Sequence, residues 1–156
     1  MRNKKYLQRL GEDCAYTFKG LFKTADWLKL EYKLYLAVPI IFSIVSLGFE
    51  DMIPAFWLKV MAVLSMIFTS IALMHQSEYE KIEAYMKLGN DFKTLYDDIE
   101  SDFYRDDISR IEEFKERIER LRKKTTEFPI NIMGRFWAKN KIEKEMNLEW
   151  LKEAES

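Results

Sequence analysis

Apolar residues follow two different rhythms along this chain. Between residues 1 and 33, Leu7, Leu10, Cys14, Phe18, Leu21, Ala25, Leu28 and Tyr32 recur every three or four positions, which puts them on one face of a helix. Lys19, Lys23, Lys29 and Lys33 fall on other faces. Asp26 and Glu31 interrupt the basic side, so this amphipathic helix is expected to pack in the cytoplasm. The alternative is a helix lying on a membrane with Phe22 and Trp27 at headgroup level. From Leu34 the rhythm vanishes. Residues 34–49, LYLAVPIIFSIVSLGF, are apolar all round, and residues 55–74, AFWLKVMAVLSMIFTSIALM, carry one charge, Lys59. A helix in water keeps a polar face. These two runs are therefore expected to be transmembrane helices. The turn GFEDMIP, with Glu50 and Asp51 at its tip, is short enough to make them antiparallel neighbours, with 50–54 as an outer loop.

The first run is short for the task. At about 1.5 Å per residue, 34–49 spans about 24 Å against a hydrocarbon core of about 30 Å. Tyr32 and Tyr35 can extend it by sitting in the interface, as can Trp57 and a snorkelling Lys59 at the outer end of the second. Pro39 introduces a kink of the kind that membrane helices tolerate. His75 marks the point where the second run meets the cytoplasm. Its sharper reading is a ring of titrating histidines at the mouth of an oligomeric pore.

Beyond the second run the helical rhythm returns. Ile82, Tyr85, Leu88 or Gly89, Phe92, Leu95, Ile99 and Phe103 form one stripe, so the second membrane helix is expected to continue into the cytoplasm as a single rod. A break falls at Tyr104–Asp107, where Asp106 and Asp107, or a capping box of Ser109 with Glu112, start the next helix. Ile108, Ile111, Phe114 or Lys115, Ile118 and Leu121 give the second stripe, with Glu113–Arg117 and Glu116–Arg120 as exposed ion pairs. Residues 75–125 thus read as a cytoplasmic helical hairpin, ended by Pro129. The remainder, 129–156, holds a last amphipathic helix from about Arg135 to Glu153, with Phe136, Trp137, Ile142, Met146 and Trp150 as its apolar residues. The expected architecture is one all-α domain over 1–156: a two-transmembrane hairpin plus cytoplasmic amphipathic helices forming a bundle.

Charge orients the hairpin. Arg2, Lys4, Lys5, Arg9, Lys19, Lys23, Lys29 and Lys33 precede it, Lys81, Lys87 and Lys93 follow it, and the connecting loop has no Lys or Arg. The positive-inside rule places both termini in the cytoplasm. The first apolar run begins beyond residue 30, so no cleavable signal peptide is expected. Net charge is -1, which gives no global field to attract nucleic acid, and none is expected as a partner. Cys14 is the single cysteine, so no intrachain disulfide forms.

Catalytic chemistry is missing from the pattern. There is one histidine, and no Gly-rich phosphate loop, CxxC or HExxH motif. The Asp97/Asp98 and Asp106/Asp107 pairs read as solvated faces or helix starts, not a metal site. No enzyme activity, cofactor or metal is expected. The informative positions are small and weakly polar: Pro39, Ser43 and Ser46 in the first run, and Ala62, Ser65, Thr69 and Ala72 on one face of the second. Such residues allow close helix packing with hydrogen bonds across the interface; alternatively Ser65 and Thr69 line an aqueous path. One hairpin encloses no water, so a channel would need several copies.

The N-terminal amphipathic helix, the two closely spaced apolar helices, the segment FTSIALMHQSEYEKIEAYMKLGNDFKTLYDDI and the late proline segment EFPINIMGRFWAKNKIE together resemble the SLATT domains. These are two-transmembrane effector domains of bacterial nucleotide-signalling and anti-phage conflict systems. The resemblance covers most of the chain and carries no catalytic motif. It implies a homo-oligomeric effector of the bacterial inner membrane, pore-forming or membrane-disrupting, that kills or arrests an infected cell. It also implies a separate sensor or messenger-producing enzyme as partner. Two other readings remain: a membrane-tethered helical adaptor without a pore, and a soluble bundle with a very apolar central hairpin.

Overall fold

The structure, a computed structural model, describes residues 2–49 and 51–145. Among these residues it is all-helical: α1 (Arg2–Gly48), α2 (Ala55–Met74), α3 (Gln76–Glu80), α4 (Ile82–Tyr104), α5 (Ile111–Thr125) and α6 (Ile132–Glu145). The chain divides into two compact units. The first comprises Met1–Asp26 with Glu83–Ser156, and the second is Trp27–Ile82. The segments 1–33 and 34–49, read as separate in the sequence, are joined in one helix over Arg2–Gly48, with Pro39 inside it.

The core of the first unit comes from the stripes. Leu7, Leu10, Cys14, Phe18, Leu21 and Ala25 of α1 are buried, as are Tyr85, Leu88, Phe92, Leu95, Ile99 and Phe103 of α4 and Phe114 and Ile118 of α5. Contacts fix the directions. Lys4 Nζ lies 4.9 Å from the Phe103 ring centroid, Phe18 meets Tyr96 edge-on at 5.7 Å, and Phe22 lies over Gly89, so α1 and α4 are antiparallel. Phe22 is half-buried, with its ring against Gly89 of α4. Arg110 reaches the buried Asp102 at 3.4 Å and Arg117 reaches Asp98 at 2.7 Å, which sets α5 antiparallel to α4.

The α4–α5 connection departs from the capping expectation. Asp106 takes a positive φ of 57° and the Asp107 N–H donates to the Asp102 carbonyl, so α4 closes with an aspartate in the left-handed position usually given to glycine. The Asp107 carboxylate accepts the Ser109 N–H at 2.9 Å, and this hydrogen bonding holds its pKa below the usual carboxylate value. Helix α5 begins at Ile111, with Arg110 as its uncapped flank. The Ser109–Glu112 capping box does not form; Glu112 pairs with Lys115 instead. Glu113–Arg117 is present at 3.8 Å, whereas Arg120 turns its Nε to the Glu116 backbone carbonyl. The single rod is interrupted too. His75 and Lys81 separate α2, α3 and α4, with i→i−3 bonds at Glu78 and Lys81 tightening the ladder.

The proline segment ties the first unit together. Tyr85 Oη donates to the Pro129 carbonyl at 3.0 Å, and its ring meets Phe128 edge-on at 5.4 Å. Asn131 caps α6: its Oδ1 accepts the Gly134 N–H at 2.5 Å, and its own N–H donates to Thr24 Oγ1 at 3.3 Å. A Cβ on Gly134 would stand 2.9 Å from the Gly20 carbonyl oxygen and would collide with Thr24 Oγ1. Helix α6 therefore starts earlier than the sequence suggested, and its buried face is Gly134, Ala138 and Ile142. Phe136 and Trp137, read as apolar residues of this amphipathic helix, are exposed. Met146 and Trp150 lie outside the described residues.

Two outcomes follow from this packing. Gly134→Ala is expected to cost about 1–3 kcal/mol by forcing backbone apart. Gly48→Ala, with nothing within 4 Å, should be neutral or stabilise by up to about 1 kcal/mol. Thermal unfolding followed by circular dichroism separates the two, and equal midpoints for both variants would refute the close approach. Burial, then the neighbouring Asp13 carboxylate, pushes the Cys14 thiol up to about 12. At pH 8 roughly one thiol in ten thousand is then ionised, so maleimide labelling should await unfolding; rapid labelling of native protein would contradict the burial. Because the folded value is raised, the thiol's contribution to stability is complete below pH 9 and is lost as pH rises towards 12.

Candidate functional site: an apolar helical hairpin

The second unit, Trp27–Ile82, is a helical hairpin. The turn falls where the sequence put it. The Phe49 carbonyl accepts the N–H groups of Met52 and Ile53, and the Pro54 carbonyl accepts those of Trp57 and Leu58 to start α2. Tyr32 meets Tyr79 with ring centroids 4.7 Å apart, Tyr35 meets Phe68 at 5.8 Å, and Ser46 Oγ lies 3.8 Å from Met61 Sδ. The pairing order makes the two helices antiparallel.

Each helix half-buries one stripe. On α1 it is Tyr35, Val38, Phe42 and Ser46; on α2 it is Leu58, Met61, Ser65, Phe68 and Ala72. These spacings of three and four form the seam of a helix pair. The remaining faces are apolar and open: Leu47 is 82% exposed, Met66 70% and Ile44 63%. By length and composition both helices are capable of crossing a membrane, and α1 buries none of its most apolar window.

The small and weakly polar positions divide between seam and outside. Ser46, Ser65 and Pro39 are half-buried and Ala72 is buried, while Ser43, Ala62 and Thr69 are exposed. The face that the spacing of Ala62, Ser65, Thr69 and Ala72 suggested is thus split, because Met61 and Phe68 fill the gap between helices and turn Ala62 and Thr69 outward. Hydroxyls mostly bond within their own helix, not across the seam. Ser43 donates to the Pro39 carbonyl, Ser65 to Met61, Thr69 to Ser65 and Ser70 to Met66, each at 2.8 Å. Only the long Ser46–Met61 contact crosses.

At the turn end, Trp57 is exposed and edge-on to Phe56, and Lys59 is exposed. At the other end Tyr35 Oη donates to Glu31 at 3.2 Å, and His75 and Tyr32 are exposed. Tyr79 was missed in the sequence, although it lies one heptad beyond Ala72 on the seam. It is 8% exposed, and its hydroxyl is buried with no hydrogen-bond partner. Burial, then the Glu31 carboxylate and the Tyr35 and Tyr32 hydroxyls, pushes its pKa up. A groove of about 370 Å³ opens here, lined among others by Tyr32, Leu36, Ala72, Leu73 and Gln76. No group of three metal-ligating side chains occurs among the described residues.

No family model matches the chain, and no curated protein or solved structure does either.

The seam is testable directly. In a Cys14→Ser background, Ser46→Cys with Met61→Cys should crosslink within one chain by a short bifunctional thiol reagent. Ile44→Cys with Met66→Cys, both on open faces, should not. Crosslinking of the second pair but not the first would reverse the assignment of inner and outer faces.

Proposed function

We propose that the hairpin spans the bacterial inner membrane with both termini in the cytoplasm, and that several copies assemble into a pore-forming or membrane-disrupting effector. The observation that carries this reading is the apolar surface on every open face of the hairpin, for which lipid is the matching solvent. Orientation rests on the Lys and Arg that flank the hairpin and are missing from its turn. Two helices enclose no aqueous path, so conduction requires a homo-oligomer. The resemblance to SLATT domains supplies the setting: an anti-phage or nucleotide-signalling system in which a separate sensor or messenger-producing enzyme triggers permeabilisation, followed by death or growth arrest. The chain is not assigned an enzymatic role.

One observation favours a second reading, a membrane-tethered adaptor without a pore. The hydroxyls of Ser43, Ser65, Thr69 and Ser70 are all engaged by their own helices, which leaves no free donor along the hairpin's weakly polar faces.

Expression in bacterial cells should bring the chain into the membrane fraction and collapse the membrane potential read by a voltage-sensitive dye. Thr69→Leu with Ser43→Leu should leave fractionation unchanged and abolish depolarisation. Membrane-bound protein that never depolarises the cell is either the adaptor or an effector awaiting its activator; protein in the soluble fraction removes both readings.

A further inference from the structure

Helix α6 is apolar on two sides. One side, Gly134, Ala138 and Ile142, is buried in the first unit. The opposite side carries Ile132, 86% exposed, and Phe136, 61% exposed, with Met133 and Trp137 also open. The Asn131 cap and the close approach at Gly134 fix the rotation of α6, so this outer side cannot roll inward. Helix α6 carries Arg135, Lys139, Lys141 and Lys144 against Glu143 and Glu145, four cations to two acids.

We infer that the outer side of α6 is an interfacial anchor that lies on a lipid surface rich in anionic headgroups. Aromatic and aliphatic side chains in one patch, on a helix with twice as many cations as acids, match such a surface in both apolarity and charge. A second copy of the chain is a poorer occupant. Residues 132–137 cover about 9 Å of helix, well short of the roughly 800 Å² per partner that a stable interface buries. The inference rests on the proposed membrane location and adds to it a second contact with the same bilayer.

Tryptophan quenching tests it in the full chain. Trp27→Phe, Trp57→Phe and Trp150→Phe leave Trp137 as reporter; a companion protein keeps only Trp57. Both are reconstituted in vesicles of equal parts phosphatidylcholine and phosphatidylglycerol, brominated on the acyl chain near the headgroup. An interfacial helix buries its apolar side about 5–10 Å deep, so Trp137 emission should fall about twofold. Phe136→Asp, at an exposed position, should restore that emission without altering the quenching of Trp57. If Trp57 is quenched and Trp137 is not, the hairpin is in the bilayer and α6 is not on it, which overturns the anchor alone. Quenching of neither overturns the hairpin reading together with the anchor. A Trp137 signal that changes with protein density but ignores bromine assigns the patch to a second copy and also overturns the anchor.

Discussion

A helix with no polar face can satisfy its backbone polar groups only within itself, and the hairpin is organised by that constraint. Its backbone is helical from Trp27 to Gly48 and from Ala55 to Met74, and the turn between them is closed by its own carbonyls. Pro39 removes one donor from the ladder, yet its own carbonyl is used by Ser43. The seam needs no polar zip, because Phe42, Met61 and Phe68 occupy it by volume. Tyr79 is the exception, a buried hydroxyl without a partner, and it sits beyond Met74 at the polar end.

The first unit obeys the opposite constraint. Its helices are amphipathic, its apolar residues are mostly inside, and ion pairs such as Arg122–Asp13 and Lys4–Asp106 lie on the exposed side. Exposed pairs of this kind contribute at most about 1 kcal/mol each. Glycine contacts are more demanding. Gly20, Gly89 and Gly134 each lie where an added methyl would collide, with Ile130, Phe22 and Thr24 respectively. The late proline segment supplies two of these contacts, so it works as a clasp, not as a linker.

What the sequence made legible was whatever depends on periodicity. The stripes of α1, α4 and α5, the two uncharged runs and the turn at Gly48–Pro54 were all visible, because burial of one face, or of none, writes itself into the spacing. What stayed hidden depends on a few atoms in three dimensions. Asp106 could adopt a left-handed conformation only because the chain reverses there, and no rhythm announces that. Asn131, which caps α6, is held in turn by Thr24, more than a hundred residues away. The seam on α2 was displaced because small residues suggested it, whereas Met61 and Phe68 fill it. Phe136 and Trp137 stand out in the sequence as the bulky apolar residues of α6, yet Gly134 and Ala138 are the residues small enough to let it approach α1.

The inward hydrogen bonds of the hairpin's hydroxyls have an electrostatic consequence. A hydroxyl that donates its proton to its own helix turns only oxygen lone pairs outward. Ser43, Thr69 and Ser70, all exposed, therefore present acceptors and no donors. Any solvent column bordered by those faces would meet a slightly negative wall, one that welcomes a partly dehydrated cation and repels an anion of the same size.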